Sequence, residues 1–170
     1  DVDFGSFFLE GVAAGDMFGL TVGVEVIPGE AEIGTKTRTD TQSDSNESSD
    51  DSGTYTGKAE VSGHFTIYAE PTIYVGNLGL YAKGGWTRLK VTTLDDIQYG
   101  EDSSAYDDKS TTGTLWGAGL RYKWGPMVLK AEYVETDYEE MKFTSSTGNK
   151  NTIVATPEQS STRVGIALQF

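Results

Sequence analysis

The feature that most constrains this chain is a period-two alternation of apolar and polar residues that recurs in segment after segment. Between Lys58 and Tyr74 one phase carries Ala59, Val61, Phe65, Ile67, Ala69 and Ile73; the other carries Glu60, Ser62, His64, Thr66, Tyr68, Glu70 and Thr72. Successive side chains of a strand point to opposite faces, so this pattern describes a strand with one apolar and one polar face. The same pattern recurs in Phe18–Val26, Leu78–Trp86, Thr114–Trp124, Met127–Tyr133 and Thr162–Phe170. A seventh segment, from Ser6 to Ala13, is less regular, because Phe8 falls on the phase of Glu10.

The breaks between segments alternate in length. Short ones lie at Ala13–Asp16, Gly76-Asn77 and Trp124–Pro126; long polar ones run about 36–56, 95–111 and 145–161. Alternating short turns and long loops are the topology of an up-and-down barrel that crosses a bacterial outer membrane. A break inside Phe18–Thr37 at Pro28-Gly29 would spoil that alternation, so the stretch reads as one strand. The long segment 39–52 is acidic and of low complexity, a composition that buries too little apolar surface to order itself. There is no cysteine, so no disulfide framework or thiolate metal site arises. No apolar run reaches the roughly 20 residues a spanning helix requires. A net charge of -13 repels phosphate backbones, so nucleic-acid binding is not expected. Nothing in the residue pattern calls for a cofactor.

Alternation alone does not say which face points inward, and a soluble ligand-binding barrel would reverse the two. Aromatic placement favours the membrane arrangement. Phe18, Trp124 and Phe170 sit beside short turns on the apolar phase, and Trp86, Trp116 and Tyr133 sit toward the long loops on the same phase. Two such rows are the aromatic girdles of a membrane barrel. The chain then stops on an aromatic, after alternate apolar residues Val164, Ile166, Leu168 and Phe170. In this the sequence resembles the small outer-membrane β-barrel family (OmpA/OmpX/OmpW-like proteins). The resemblance implies that these four residues form the signal read by the barrel-insertion machinery, and that the last strand ends on the periplasmic side.

That polarity makes the long loops external and sends the first segment from outside inward. Single-chain bacterial barrels have an even strand number, and seven segments are readable. The expected fold is therefore an all-β, antiparallel up-and-down transmembrane β-barrel of eight strands forming a single domain, with one strand ahead of Asp1.

The interior of an eight-stranded barrel is just filled by side chains. The polar phases place Glu10, Glu25, Glu60, His64, Glu70, Lys83, Arg121, Lys123, Lys130, Glu132 and Arg163 there, with Lys58. Confined charges must pair, so the expectation is a lumen plugged by ion pairs, opposed to a small-solute or hydrophobic-ligand channel. His64, the only histidine, is the one candidate for lipid A chemistry. It would need to face outward beside a hydroxyl, and its phase turns it inward, so no enzymatic activity is expected. The pairs Asp95-Asp96, Glu101-Asp102 and Asp107-Asp108 could attract calcium but lack EF-hand spacing; they read as solvated loop charge. Arg88 and Lys90 fall on the apolar phase just beyond Trp86, within reach of lipopolysaccharide phosphates. Thr136–Phe143 continues as strand beyond the membrane. The functional expectation is a structural or surface-interaction protein. Its partners would be outer-membrane lipid, lipopolysaccharide, and a cell-surface protein or phage at the acidic loops.

Overall fold

The computed structural model describes residues 3–40, 53–97, 107–144 and 152–170. They form strands β1 (Phe7–Ala14), β2 (Phe18–Asp40), β3 (Gly53–Val75), β4 (Leu78–Ile97), β5 (Lys109–Trp124), β6 (Met127–Tyr138), β7 (Met141–Thr144), β8 (Thr152–Ala155) and β9 (Glu158–Leu168). Seven of them make one antiparallel sheet in the order β1-β2-β3-β4-β5-β6-β9, which curls into an incomplete barrel. β7 and β8 form a separate hairpin.

The short turns form where the sequence places glycine. Gly76, between β3 and β4, has φ 62°, and Gly125, between β5 and β6, has φ 59°. A residue with a Cβ adopts these values at a cost, and two-residue hairpins require them. The long strands extend past the opposite end of the barrel.

The faces are inverted relative to a soluble protein. Leu9, Leu20, Val22, Ile67, Leu80, Trp116, Leu120, Trp124, Val164 and Ile166 are exposed, whereas Thr21, Glu25, Thr66, Glu70, Lys83 and Arg121 are buried. The apolar outward stretches match the roughly 9–11 tilted strand residues that cross a bilayer.

The strands run further than the sequence reading has them, with β2 reaching Asp40, β3 starting at Gly53, β4 reaching Ile97 and β5 starting at Lys109, all within stretches expected as loop; two other parts also differ. First, the polar segment 145–161 is not all loop: β8 lies within it, and β9 already begins at Glu158. The strand expected over Thr136–Phe143 breaks at Glu139-Glu140, and the chain turns into β7. Met141 and Phe143 of β7 then pack with Leu89, Val91 and Tyr138 on the inner side of the wall, joined by Val61. The amide of Glu139 donates to the carbonyl of Thr112 and fixes the turn to β5 at 2.8 Å. Second, β3 carries a bulge. Below it Phe65 opposes Arg88; above it Ser62 opposes Lys90, so Leu89 alone on β4 faces both Gly63 and His64 on β3. Gly63, at φ 61°, takes up the extra residue, and one extra residue reverses the facing of everything beyond it. Val61 therefore joins the inner cluster, opposite Val91, and Glu60 leaves the lumen, opposite Thr92. A matching irregularity lies across the pair in β2, between Ile27 and Glu30, where Gly29 has φ 96°. The stretch is one strand through Pro28.

Six successive antiparallel pairings leave β1 and β9 pointing the same way, and each has a single neighbour among the described residues. The gap between these edges holds a cleft of about 710 Å3 toward the short-turn end, lined by Phe7, Leu9, Val12, Ile166, Leu168 and Phe170 among others.

Inward glycines make room for large inward side chains. A Cβ on Gly119 would stand 2.5 Å from the Tyr81 hydroxyl and 2.7 Å from the Ala131 carbonyl, while one on the outward Gly84 meets nothing within 4 Å. Gly119→Ala is expected to destabilise the barrel by about 1–3 kcal/mol, and Gly84→Ala to leave it unchanged. Urea midpoints in detergent check the pair; equal midpoints would contradict this account of the packing.

Candidate functional site: the charged lumen

The lumen is built by one or two side chains from every strand of the main sheet. Glu10 comes from β1, Glu25 from β2, Glu70 from β3, Lys83 from β4, Arg121 from β5, Lys130 and Glu132 from β6, and Arg163 from β9. Each points inward because it shares a strand phase with buried threonines, tyrosines or glycines. Formal charges cancel within this set, four carboxylates against four cations.

Glu70 is the hub, with 0% of its side chain exposed. Its carboxylate pairs with Arg121, takes hydrogen bonds from Lys130 Nζ at 3.0 and 3.1 Å, and lies 3.6 Å from Lys83 Nζ. Lys83 donates to Glu132 at 2.8 Å, and Lys130 also pairs with Glu10. Arg163 Nη1 donates to Glu25 at 2.8 Å, which ties β9 to β2 beneath β1. Arg121 also donates to Thr21 Oγ1 at 2.9 Å.

Tyrosines complete the layer. Tyr68 donates to Glu10 and Tyr81 to Glu132, each at 2.9 Å. Lys83 Nζ lies 4.0 Å from the centre of the Tyr68 ring, and Arg121 stacks over Tyr81 at 5.0 Å. Phe8 turns inward under Lys130, 5.2 Å from its Nζ. A cation over an aromatic face is held by the ring's negative potential, more firmly where water is excluded. The alternation assigns Tyr68 and Tyr81 to the inner face, but gives no sign that their rings line the cations. Phe8, which looked like a flaw in the first segment, serves the same purpose.

Above this layer sits His64. Its Nε2 lies 3.1 Å from Thr87 Oγ1 and 3.2 Å from the Tyr138 hydroxyl, which in turn donates to Gln159 at 3.1 Å. Thr66 donates to Thr87 at 3.0 Å, and Thr87 is fully buried. The inner apolar cluster of β7 lies beyond, so the interior is layered: ion pairs, then hydroxyls and imidazole, then an apolar cap.

Other residues named from the sequence fall elsewhere. Glu60 lies beyond the bulge, apart from the network. Lys123 is exposed at the short-turn end and lines the cleft. Phe18, Trp86, Trp116, Trp124 and Tyr133 are all exposed on the outer face, as are Val164, Ile166, Leu168 and Phe170. Asp95-Asp96 lie within β4, not in a loop. Asp108 pairs with Lys90 at 2.7 Å. Glu101-Asp102 and most of segment 39–52 lie outside the described residues. Among the described residues no group of acids or histidine is placed to hold a metal ion. No known family model, curated protein or solved structure matches the chain.

Removing one member of a buried ion-pair set strands its partners. Glu70→Gln is expected to cost about 3–5 kcal/mol, whereas Glu60→Gln costs nothing measurable. Chemical unfolding in detergent compares the two, and equal losses would return Glu60 to the network. Glu70→Gln combined with Lys83→Met removes one charge of each sign, and recovers part of the loss.

Proposed function

We propose that this chain is an outer-membrane barrel with a structural and surface-interaction role, presenting its long loops outside the cell and passing no solute through its lumen. The inverted faces carry this reading: large apolar side chains cover the outside and charges fill the inside. Such a surface is stable only against an apolar solvent, and the aromatic rows suit the two interfaces of a bilayer. In lipid, the free edges of β1 and β9 would leave backbone groups without partners. They run in the same direction, so an antiparallel join between them is excluded. We infer that a further strand, antiparallel to both, covers these edges in the membrane. Amide exchange on the inserted protein reads this: protection equal to that of β4 agrees, and exchange as fast as in the loops refutes it.

The lumen supports a non-conducting reading. The ion-pair layer bridges the sheet from Glu10 on β1 to Lys130 on β6, and the β7–β8 hairpin adds an apolar cap. An enzymatic role finds little support, since His64 faces inward and its hydroxyl neighbour Thr87 is buried and bonded to the Phe65 carbonyl. The cleft at the sheet edge favours a lateral route for a hydrophobic ligand, but a covering strand would fill it.

The absence of cysteine permits a clean topology test. Lys142→Cys, on the exposed face of β7, should react with a membrane-impermeant maleimide on intact cells, and Asn77→Cys, in a short turn, only after lysis. The reverse pattern would invert the orientation, and equal labelling of both would remove the membrane reading. Planar bilayers check the lumen: large, steady single-channel currents would contradict the plug.

A further inference from the structure

We propose that the outer face of β3–β5, at its long-loop end, is a binding site for the phosphorylated headgroup of a membrane lipid, formed by Arg88, Lys90 and the hydroxyls beside them. The proposal rests on the membrane reading above. β4 puts Trp86, Arg88 and Lys90 on its outward face in succession. In the register Trp86 opposes Ile67 of β3 and Thr114 of β5; Arg88 opposes Phe65 and Thr112; Lys90 opposes Ser62 and Ser110. Going up the wall, an apolar shelf of Ile67 and Trp86 gives way within two residues to two cations flanked by hydroxyls. A lipid needs that order of groups, with chains against the shelf and phosphate above it.

The cations are available in different degrees. Arg88 is exposed and donates one long hydrogen bond, 3.3 Å to Ser110 Oγ; among the described residues it has no carboxylate within ion-pair distance. A guanidinium with free N–H groups is suited to bidentate phosphate binding. Lys90, 48% exposed, is held by Asp108 at 2.7 Å. Such a surface pair is weak, so a phosphate can compete for the lysine.

Carboxylates occupy the rest of the rim, and Glu30 on β2 stands opposite Ser62 in the row of Lys90. The outward positions at the same end of β6 and β9 are Glu135, Asp137 and Glu158. Tyr133 donates to Glu135 at 2.9 Å, within that acidic sector. In a chain of net charge -13, two outward cations directly above the aromatic row leave one sector of the wall able to attract an anionic headgroup.

Trp86 is a built-in reporter. With Trp116→Phe and Trp124→Phe it is the remaining tryptophan, and its quenching by brominated lipid measures which lipid sits against it. The full chain, refolded into vesicles, is compared in brominated phosphatidylglycerol and brominated phosphatidylcholine. The expected result is preferential quenching by phosphatidylglycerol, with a preference of about fivefold per cation. Arg88→Gln with Lys90→Gln should abolish it, Arg88→Lys should keep part of it, and Asp108→Asn should raise it by freeing Lys90. Equal quenching by both lipids, or a preference that survives the double glutamine variant, overturns the site while leaving the membrane reading intact. No quenching of Trp86 by either lipid overturns the membrane reading, and the site with it.

Discussion

The fold turns on a carboxylate that has no access to water. Glu70 is fully enclosed, and an ionised carboxylate in such a place is tenable only if cations and donors surround it. Three cations from three other strands do so: Lys83, Arg121 and Lys130. Each brings a requirement of its own. Lys83 and Lys130 need Glu132 and Glu10 to balance them, and Arg121 needs Thr21 and the Tyr81 ring. The wall must curl far enough for β1 and β6 to meet across the interior, and glycines at Gly23 and Gly119 must leave space for the tyrosine rings between them. Charge, curvature and glycine placement are thus one constraint seen at three scales.

Much of this was legible in the sequence, because a sheet with one buried face writes its register as alternation. The seven strands, the short turns at glycine and most of the inward set from Glu10 to Arg163 follow from phase alone; Glu60 and Lys123 do not, since the bulge turns one outward and the other is exposed at the short-turn end. Two further things escaped. The pairing within the lumen depends on the curl of the whole sheet, which no local pattern carries; phase names the occupants but not who touches whom. The β7–β8 hairpin escaped because Met141 and Phe143 sit among polar residues, and the apolar surface that receives them, Leu89 and Val91, lies far away in sequence. Those two residues share the inner phase of Lys83 and Thr87, and apolar side chains on an otherwise polar face were the available sign.

The interior separates support from exclusion. The ion-pair layer links every wall strand and so resists deformation, while the cap made by β7 excludes water above it without adding charge. Between them His64, Thr66, Thr87, Tyr138 and Gln159 form a neutral hydrogen-bonded layer. An ion moving along the axis would meet fixed charges of both signs, then a layer with few spare donors, then hydrocarbon. These barriers are of different kinds, so weakening one leaves the others in place.

The bulge at Gly63 has a consequence for how this protein can change. Below it, odd-numbered residues of β3 face outward; above it they face the interior, as Phe65 and Val61 show. The glycine therefore works like a reading-frame shift within a single strand. Selection acts on opposite parities on its two sides, so the same substitution is harmless or damaging according to which side it falls on. Loss of Gly63 alone would give a regular ladder with Val61 still inward and Glu60 still outward, whereas flattening the bulge with its residue kept would send Glu60 inward and Val61 outward, undoing the cap and adding an unbalanced charge to the interior in one step. The position of one glycine thus sets where along β3 the parity of the outward face changes.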